Sequence, residues 1–301
     1  MIKLALLAEG KIPPDKRVPF TPQQAAEIQR RFPGVKVVCQ KSKVRSFRDE
    51  EYAAEHIELA SDVSDCRILM GIKEVPITNL AEGKTYLFFS HTIKKQAHNK
   101  KLLQAVLQKR ITLIDYEALK DEQGNRLVAF GRYAGIVGTY NGLLIYGRRY
   151  GLYDLRRAYE CFDIDELKKE LKKVKLPPIK ILLTGSGRVG HGARIIFEEA
   201  GIKHISPDEF ISRGFNEPVY TQLSSADYHK NKLTGNFDRQ EFHAFPERYA
   251  IDFAKYARVT DLFIAGAYWD PRAPVLFTRE EMLDPAFRIR VIADITCDIN
   301  G

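Results

Sequence analysis

Three glycines set the frame of this chain. In Ile181-Leu182-Leu183-Thr184-Gly185-Ser186-Gly187-Arg188-Val189-Gly190-His191-Gly192-Ala193, an apolar run enters a Gly-x-Gly-x-x-Gly spacing. A helical pattern (Ile195, Ile196, Phe197, Ala200) leaves it. A strand, a tight turn and a helix start in this order suit a dinucleotide pyrophosphate. Gly185 permits the turn, Gly187 lets the backbone approach the phosphates, and Gly190 lets the helix pack close to the strand. The helix N-terminus adds unpaired N–H groups and the positive end of a dipole. The flanking strand and helix supply the context that a bare glycine spacing lacks. Gly185, Ser186, Gly187, Arg188, Val189 and Gly190 are therefore the expected dinucleotide contacts, against the alternative of a glycine-rich turn with no ligand.

A length of 301 residues predicts two domains. Hydrophobic content of 45% and charged content of 29% read as a soluble globular protein with a sizeable core. The four cysteines, Cys39, Cys66, Cys161 and Cys297, form no Cys-x-x-Cys pair and no metal-ligand cluster. Free thiols in a cytoplasmic protein, with no metal, are the expectation. No window of about 20 apolar residues exists, so no membrane span is predicted. The net charge of +8 raises the question of nucleic acid. Its densest run, Asp165 to Lys175, alternates Glu with Lys as a solvated helix does. No nucleic-acid-binding motif accompanies it. Anionic small molecules, a dinucleotide and dicarboxylate substrates among them, account for the excess.

Strands are predicted at Ile2–Ala8, Val35–Cys39, Arg67–Ile72, Thr85–Phe89 and Ile111–Asp115, rich in residues buried on both faces. Thr21 and Pro22 read as a helix start. Ile93, Ala97, Leu103 and Leu107 have helical spacing. Strand–helix alternation argues for a parallel sheet. Phe130 to Tyr153, dense in glycine, reads as a long helical connector where two domains pack closely on small residues. Leu176-Pro177-Pro178 stops the charged helix, and Ile179 starts the glycine-loop strand. Further strands are Leu262–Ala265 and Arg290–Ile295. Residues 220–250 read as an insertion without an assigned chemical role. The expected domains are 1–133, carrying the substrate chemistry, and 134–301, binding the dinucleotide.

Ligands of open α/β sheets bind outside the carboxyl ends of the strands. The predicted strands of the first domain run into Glu9 and then Arg17, into Lys73-Glu74, into His91 and Lys94, and into Glu117. If those strands are parallel and adjacent, one edge carries an acid/base set with an anion-binding arginine. Histidine exchanges protons near neutral pH, and lysine does so when burial or a neighbouring cation lowers its pKa.

These segments carry a resemblance. Gly71-Ile72-Lys73-Glu74-Val75-Pro76 and Phe88-Phe89-Ser90-His91-Thr92-Ile93-Lys94-Lys95-Gln96 resemble the lysine-forming saccharopine dehydrogenases. They resemble most the lysine–2-oxoglutarate reductase half of aminoadipic semialdehyde synthase, within the alanine dehydrogenase and transhydrogenase superfamily. The similarity continues through Leu113-Ile114-Asp115-Tyr116-Glu117, Arg126-Leu127-Val128-Ala129-Phe130-Gly131 and Tyr133-Ala134-Gly135. It returns at Phe245-Pro246-Glu247-Arg248-Tyr249, Ala267-Tyr268-Trp269 and Ala293-Asp294-Ile295-Thr296-Cys297-Asp298. It implies an α/β protein with two Rossmann-like domains, parallel sheets and an active site between them. It implies interconversion of saccharopine with L-lysine and 2-oxoglutarate, with hydride transfer to or from NAD or NADP. By motif, Lys73 and His91 are the catalytic acid/base pair, tuned by Glu74 and Glu117. Arg17, Lys94 and Arg126 hold the substrate, and Asp294 lies near the cofactor. No nucleic-acid or membrane partner is implied. Family members run on past the Asp294 motif and return to the first domain; this sequence stops at Gly301, which implies a first domain without its return segment. The strand after the glycine-rich helix is expected to end at Ser206, with Asp208 beyond it. That leaves NAD and NADP both open, the basic Arg188 being compatible with NADP. An alanine dehydrogenase-like amino-acid dehydrogenase and a catalytically silent dinucleotide-binding module are the alternatives.

Overall fold

A computed structural model describes residues 1–12 and 15–296, Lys94 in its backbone only; Cys297 lies outside them. The chain divides into two compact units, Met1–Ala129 and Phe130–Gly301. The division falls after Ala129 rather than after Tyr133, because Gly131–Tyr133 already belong to a helix of the second unit.

The first unit contains strands β1 (Ile2–Leu6), β2 (Val35–Gln40), β3 (Glu58–Ala60), β4 (Ile68–Met70), β5 (Thr85–Phe88) and β6 (Thr112–Asp115). Its helices are α1 (Pro22–Arg31), α2 (Asp49–Ala54) and α3 (Lys100–Gln108). All six strands are parallel, in the order β3-β2-β1-β4-β5-β6. β1 lies at the centre, and the order reverses between β1 and β4. Thr21 caps α1 in a reciprocal capping box with Gln24, ahead of Pro22. α3 buries Leu102, Ala105 and Val106 against Leu69, Tyr86 and Phe88 of the sheet. It starts at Lys100, not at Ile93. His91 and Lys95 both take left-handed backbone angles, φ 54° in each case, and so interrupt a helix there.

The second unit contains α4 (Gly131–Tyr150), α5 (Ile164–Leu171), β7 (Lys180–Thr184), α6 (Arg188–Glu199), β8 (Lys203–His204), α7 (Pro207–Ser212) and β9 (Val219–Leu223). Then come α8 (Ser225–Tyr228), β10 (His229–Asn231), α9 (Arg239–Ala244), β11 (Tyr249–Ile251), α10 (Ala254–Ala257), β12 (Leu262–Ala265), α11 (Arg279–Met282) and β13 (Val291–Asp294). Its main sheet is parallel, in the order β13-β12-β7-β9-β8; β10 and β11 form a separate antiparallel pair. Alternate residues of β7 feed opposite faces. Ile181 and Leu183 join a core with α4 and α6, and Leu182 joins one with Phe210, Phe253 and Phe263.

The strand after the glycine-rich helix is thus an edge, two residues long, and β9 stands between it and β7. Residues 219–223 are a main-sheet strand rather than part of an insertion. The small residues of 130–153 also serve a different contact from the one expected. They seat α4 on the other elements of its own unit. A methyl group on Gly192 would overlap the Arg132 carbonyl oxygen and lie 2.9 Å from the Ile136 nitrogen. One on Gly135 would overlap the Val189 carbonyl oxygen. The backbones of α4 and α6 therefore touch, as helices do where glycines face each other.

Candidate functional sites, one in each unit

In the second unit, β7 delivers the chain into Gly185, which has φ +94°. A side chain there would also meet the Gly266 carbonyl oxygen at 2.8 Å. Gly190 lies against the Gly185 carbonyl, with no room for a Cβ between them. Gly187 is the N-cap of α6, no side chain caps that helix, and nothing stands within 4 Å of where its Cβ would be. The turn is thus closed on its sheet side and open on the other. Gly185 through Val189 line a cavity of about 470 Å³. Its lining also includes His229, Phe242, His243, Tyr268 and Trp269. Its volume lies in the range of small-molecule sites. The open loop and this cavity fit a dinucleotide. Asp294 ends β13, where its carboxylate accepts from the Thr296 N–H and hydroxyl. Ser206, expected at the end of the strand, instead caps α7 in a reciprocal box with Glu209.

In the first unit, β1, β4, β5 and β6 are adjacent and parallel, so their carboxyl ends share one edge. The β4–β5 ladder continues past both strands, with Gly71 donating to Leu87 and Phe89 to Ile72. On the β1 side, the carboxylate of Glu9 takes over as the partner. It accepts from the Ile72 and Lys73 N–H groups at 2.6 and 2.9 Å. Burial raises the Glu9 pKa, against the lowering effect of those two bonds.

Lys73 and Glu74 follow directly. Burial lowers the Lys73 pKa, and Arg17 and Lys11 lower it further; Glu74 and Asp15 oppose them. Glu74 accepts from Lys11 at 3.2 Å and bonds His91 Nδ1 at 2.6 Å. Burial works to raise the Glu74 carboxyl, but its own N–H, His91 and Lys11 together bring it below the ordinary value. His91 holds its left-handed backbone at the end of β5 and stacks on Phe89. Backbone of this kind is concentrated at functional sites. Arg17 is gripped by Asp15 through two parallel bonds, from Nε at 2.9 Å and from Nη2 at 2.5 Å. Burial would raise Asp15, yet Arg17 holds it below the usual carboxylate range. Glu117, buried at the end of β6, pairs with Arg126 at 3.2 Å. Lys94 ends a single helical turn that starts at Thr92.

Lys73, Glu74, His91 and Arg17 thus fall within one electrostatic neighbourhood, and Glu117 and Arg126 form a pair of their own. Glu9, Lys11 and Asp15 are added to the set. Their only mark in the sequence is their place in the loop after β1. Of the cavity-lining residues within 225–246, only Pro246 fell in a segment that the sequence singled out, Phe245-Pro246-Glu247-Arg248-Tyr249. Among the described residues, no three His, Cys, Asp or Glu side chains gather as a metal site requires. None of the helices is long and apolar enough to cross a membrane, again among the described residues.

Residues 5–137 match the alanine dehydrogenase/PNT N-terminal domain family. The mitochondrial alpha-aminoadipic semialdehyde synthase of Rattus norvegicus is 33% identical over 290 residues, covering 89% of this chain. The chain spans only 31% of that relative's length. The NAD(+)-dependent, L-lysine-forming saccharopine dehydrogenase of Yarrowia lipolytica is 31% identical over 229 residues, 70% of this chain and 60% of the relative. Among solved structures, an L-alanine dehydrogenase superposes with a TM-score of 0.63 at 16% identity, over 97% of this chain and 73% of its own.

Proposed function

We propose that this chain, a relative of the aminoadipic semialdehyde synthases and of the lysine-forming saccharopine dehydrogenases, is an NAD(P)-dependent oxidoreductase that interconverts saccharopine with L-lysine and 2-oxoglutarate. The observation that carries the reading is the strand-end cluster of Lys73, Glu74 and His91, in a chain whose other unit holds an open glycine-rich loop over a cavity. The reading requires the two sites to face one pair of reactants in the working protein.

In the lysine-forming direction's reverse, the lysine ε-amine attacks the keto carbon of 2-oxoglutarate. Water leaves, and the imine carbon takes a hydride to give saccharopine. A nicotinamide dinucleotide held at Gly185 through Val189 would supply that hydride or, in the other direction, accept it. The residues of this chain move protons. Lys73, with its proton loosened by burial and by Arg17 and Lys11, and His91, oriented by Glu74, exchange protons with the amine nitrogen and the departing oxygen. Arg17, Lys94 and Arg126 are the cations for substrate carboxylates. Of these, Arg17 binds a substrate by trading its bonds to Asp15. Glu74 and Glu117 set the balance of charge around them.

A panel of substrate pairs tests the reading. NADH or NADPH is oxidised only when lysine and 2-oxoglutarate are both supplied. Turnover with pyruvate and ammonia instead makes the chain an alanine dehydrogenase relative in activity as well as fold. Calorimetric binding of a dinucleotide with no turnover on any pair makes it a silent module.

The Lys73 field gives a second expectation. The basic limb of the turnover–pH profile lies below the ordinary lysine value of 10.5. Lys11→Gln removes a neighbouring cation, which makes protonated Lys73 easier to hold, so the limb moves to higher pH. A limb that stays in place, measured over matched buffers, removes Lys11 from the field of the titrating group.

A further inference from the structure

The doubly wound dinucleotide fold is two mononucleotide-binding halves, and the ribose of the first half is met about 20 residues beyond the glycines. Counting along this chain leads to Ile205–Glu209. The sheet leads elsewhere. β8 is separated from β7 by a whole strand, which places it roughly 10 Å from β7 at the usual strand spacing. The strand beside β7 is β9. Leu183 pairs with Gln222 and Thr184 with Leu223, so Gly185 and Ser224 leave the sheet at the same level. The Gly185 N–H donates to Leu223 at 2.9 Å, and Gln222 Nε2 donates to the Gly185 carbonyl at 2.8 Å. The tip of β9 is thus tied to the glycine-rich turn itself.

What grows from that tip bounds the cavity. Ser225, Tyr228 and His229 line it on the outgoing path, and Phe242, His243 and Pro246 on the return. The wall is built rather than draped. The His229 ring packs on Phe242 at 4.4 Å, and Phe242 meets Tyr249 edge-on at 5.1 Å. Glu241 accepts from the Tyr249 hydroxyl at 2.8 Å and from Asn231 at 3.1 Å, and Asp238 caps α9. His229 donates from Nδ1 to the Ser225 carbonyl at 3.1 Å. The ring's other nitrogen is then an acceptor, and burial favours this neutral form. An aromatic wall with hydroxyl and imidazole groups suits a purine base and a ribose.

We propose that residues 225–246 form the adenosine wall of the dinucleotide site, with the ribose met at Ser225, at the start of α8 just beyond the tip of β9, rather than at the end of β8. The proposal rests on the dinucleotide reading of the glycine-rich loop and adds to it the place and chemistry of one half of the ligand.

Calorimetry on the full chain tests it with two probes, ADP-ribose for one half and nicotinamide mononucleotide for the other, beside NADH and NADPH. Ser225→Tyr, which fills the ribose position, and His243→Ala, at an exposed side chain, each weaken ADP-ribose about tenfold or more, in line with the loss of one base contact. Nicotinamide mononucleotide is unaffected, and so is ADP-ribose binding by Asp208→Asn at the β8 end. If Ser225→Tyr does not fold, His243→Ala decides the matter. NAD(P)H binding with both wall variants unchanged overturns the wall alone, as does a loss confined to Asp208→Asn. No binding of NADH, NADPH or ADP-ribose by the wild-type chain overturns the dinucleotide reading and the wall with it.

Discussion

Lys73→Met and His91→Gln each lower turnover by about 10²-fold or more, with dinucleotide affinity little changed. That factor is the low end for loss of a general acid or base, and corresponds to about 2.7 kcal/mol of barrier. Met keeps the length of Lys73 and removes its exchangeable proton. Gln at position 91 keeps a donor for Glu74, which now holds His91 Nδ1 at 2.6 Å, but has no pKa near neutrality. The geometry of the edge therefore survives both changes while proton exchange does not. The loss appears in kcat more than in KM, because neither group is asked to hold a substrate carboxylate. Wild-type turnover in either variant removes that residue from the chemistry.

Gly192→Ala destabilises the second unit by about 1 to 2 kcal/mol net. In an ordinary helix interior the same change is favourable, by roughly 0.5–1 kcal/mol. Here the added methyl has no space, since it meets the main chain of α4 at Arg132 and Ile136 rather than the end of a flexible side chain. Forcing extra volume into a packed contact costs about 1–3 kcal/mol, occasionally more, and that term outweighs the propensity gain. A unit of this size then melts roughly 2–8 °C lower. Thermal unfolding followed by circular dichroism reads the shift. An unchanged or raised melting temperature means that α4 and α6 are farther apart than drawn.

The parts of the fold written in local pattern were legible. The two-sided apolar runs became β1, β2, β4, β5 and β6, and the capping signals at Thr21 and Pro22 became the start of α1. The strand–turn–helix around Gly185 has the same kind of local origin. What escaped was decided by partners distant in sequence. Nothing in Val219–Leu223 announces that it pairs with β7, and nothing in Lys203–His204 announces that it is pushed to the edge. Ser206 looked like a strand tip because apolar Ile205 precedes it, yet it turns into a helix cap within one residue. Ile93 to Leu107 kept helical spacing across a break, because periodicity is blind to the backbone angles at His91 and Lys95. The strand-end acids and bases were visible one by one. Glu9 was not recognised as a partner, since its role is to grip the peptide N–H groups of Ile72 and Lys73, which a sequence does not show.

The contact at Gly135 and Gly192 has a mechanical consequence. A side chain between two helices is a cushion, because a change of rotamer takes up a small displacement. Here main chain rests on main chain, and there is no cushion. α4 and α6 therefore shift as one rod pair, and a tilt of the first is felt undiminished at the glycine-rich turn where the second begins. Their buried amides should exchange with solvent through one shared opening, with matching protection along both helices.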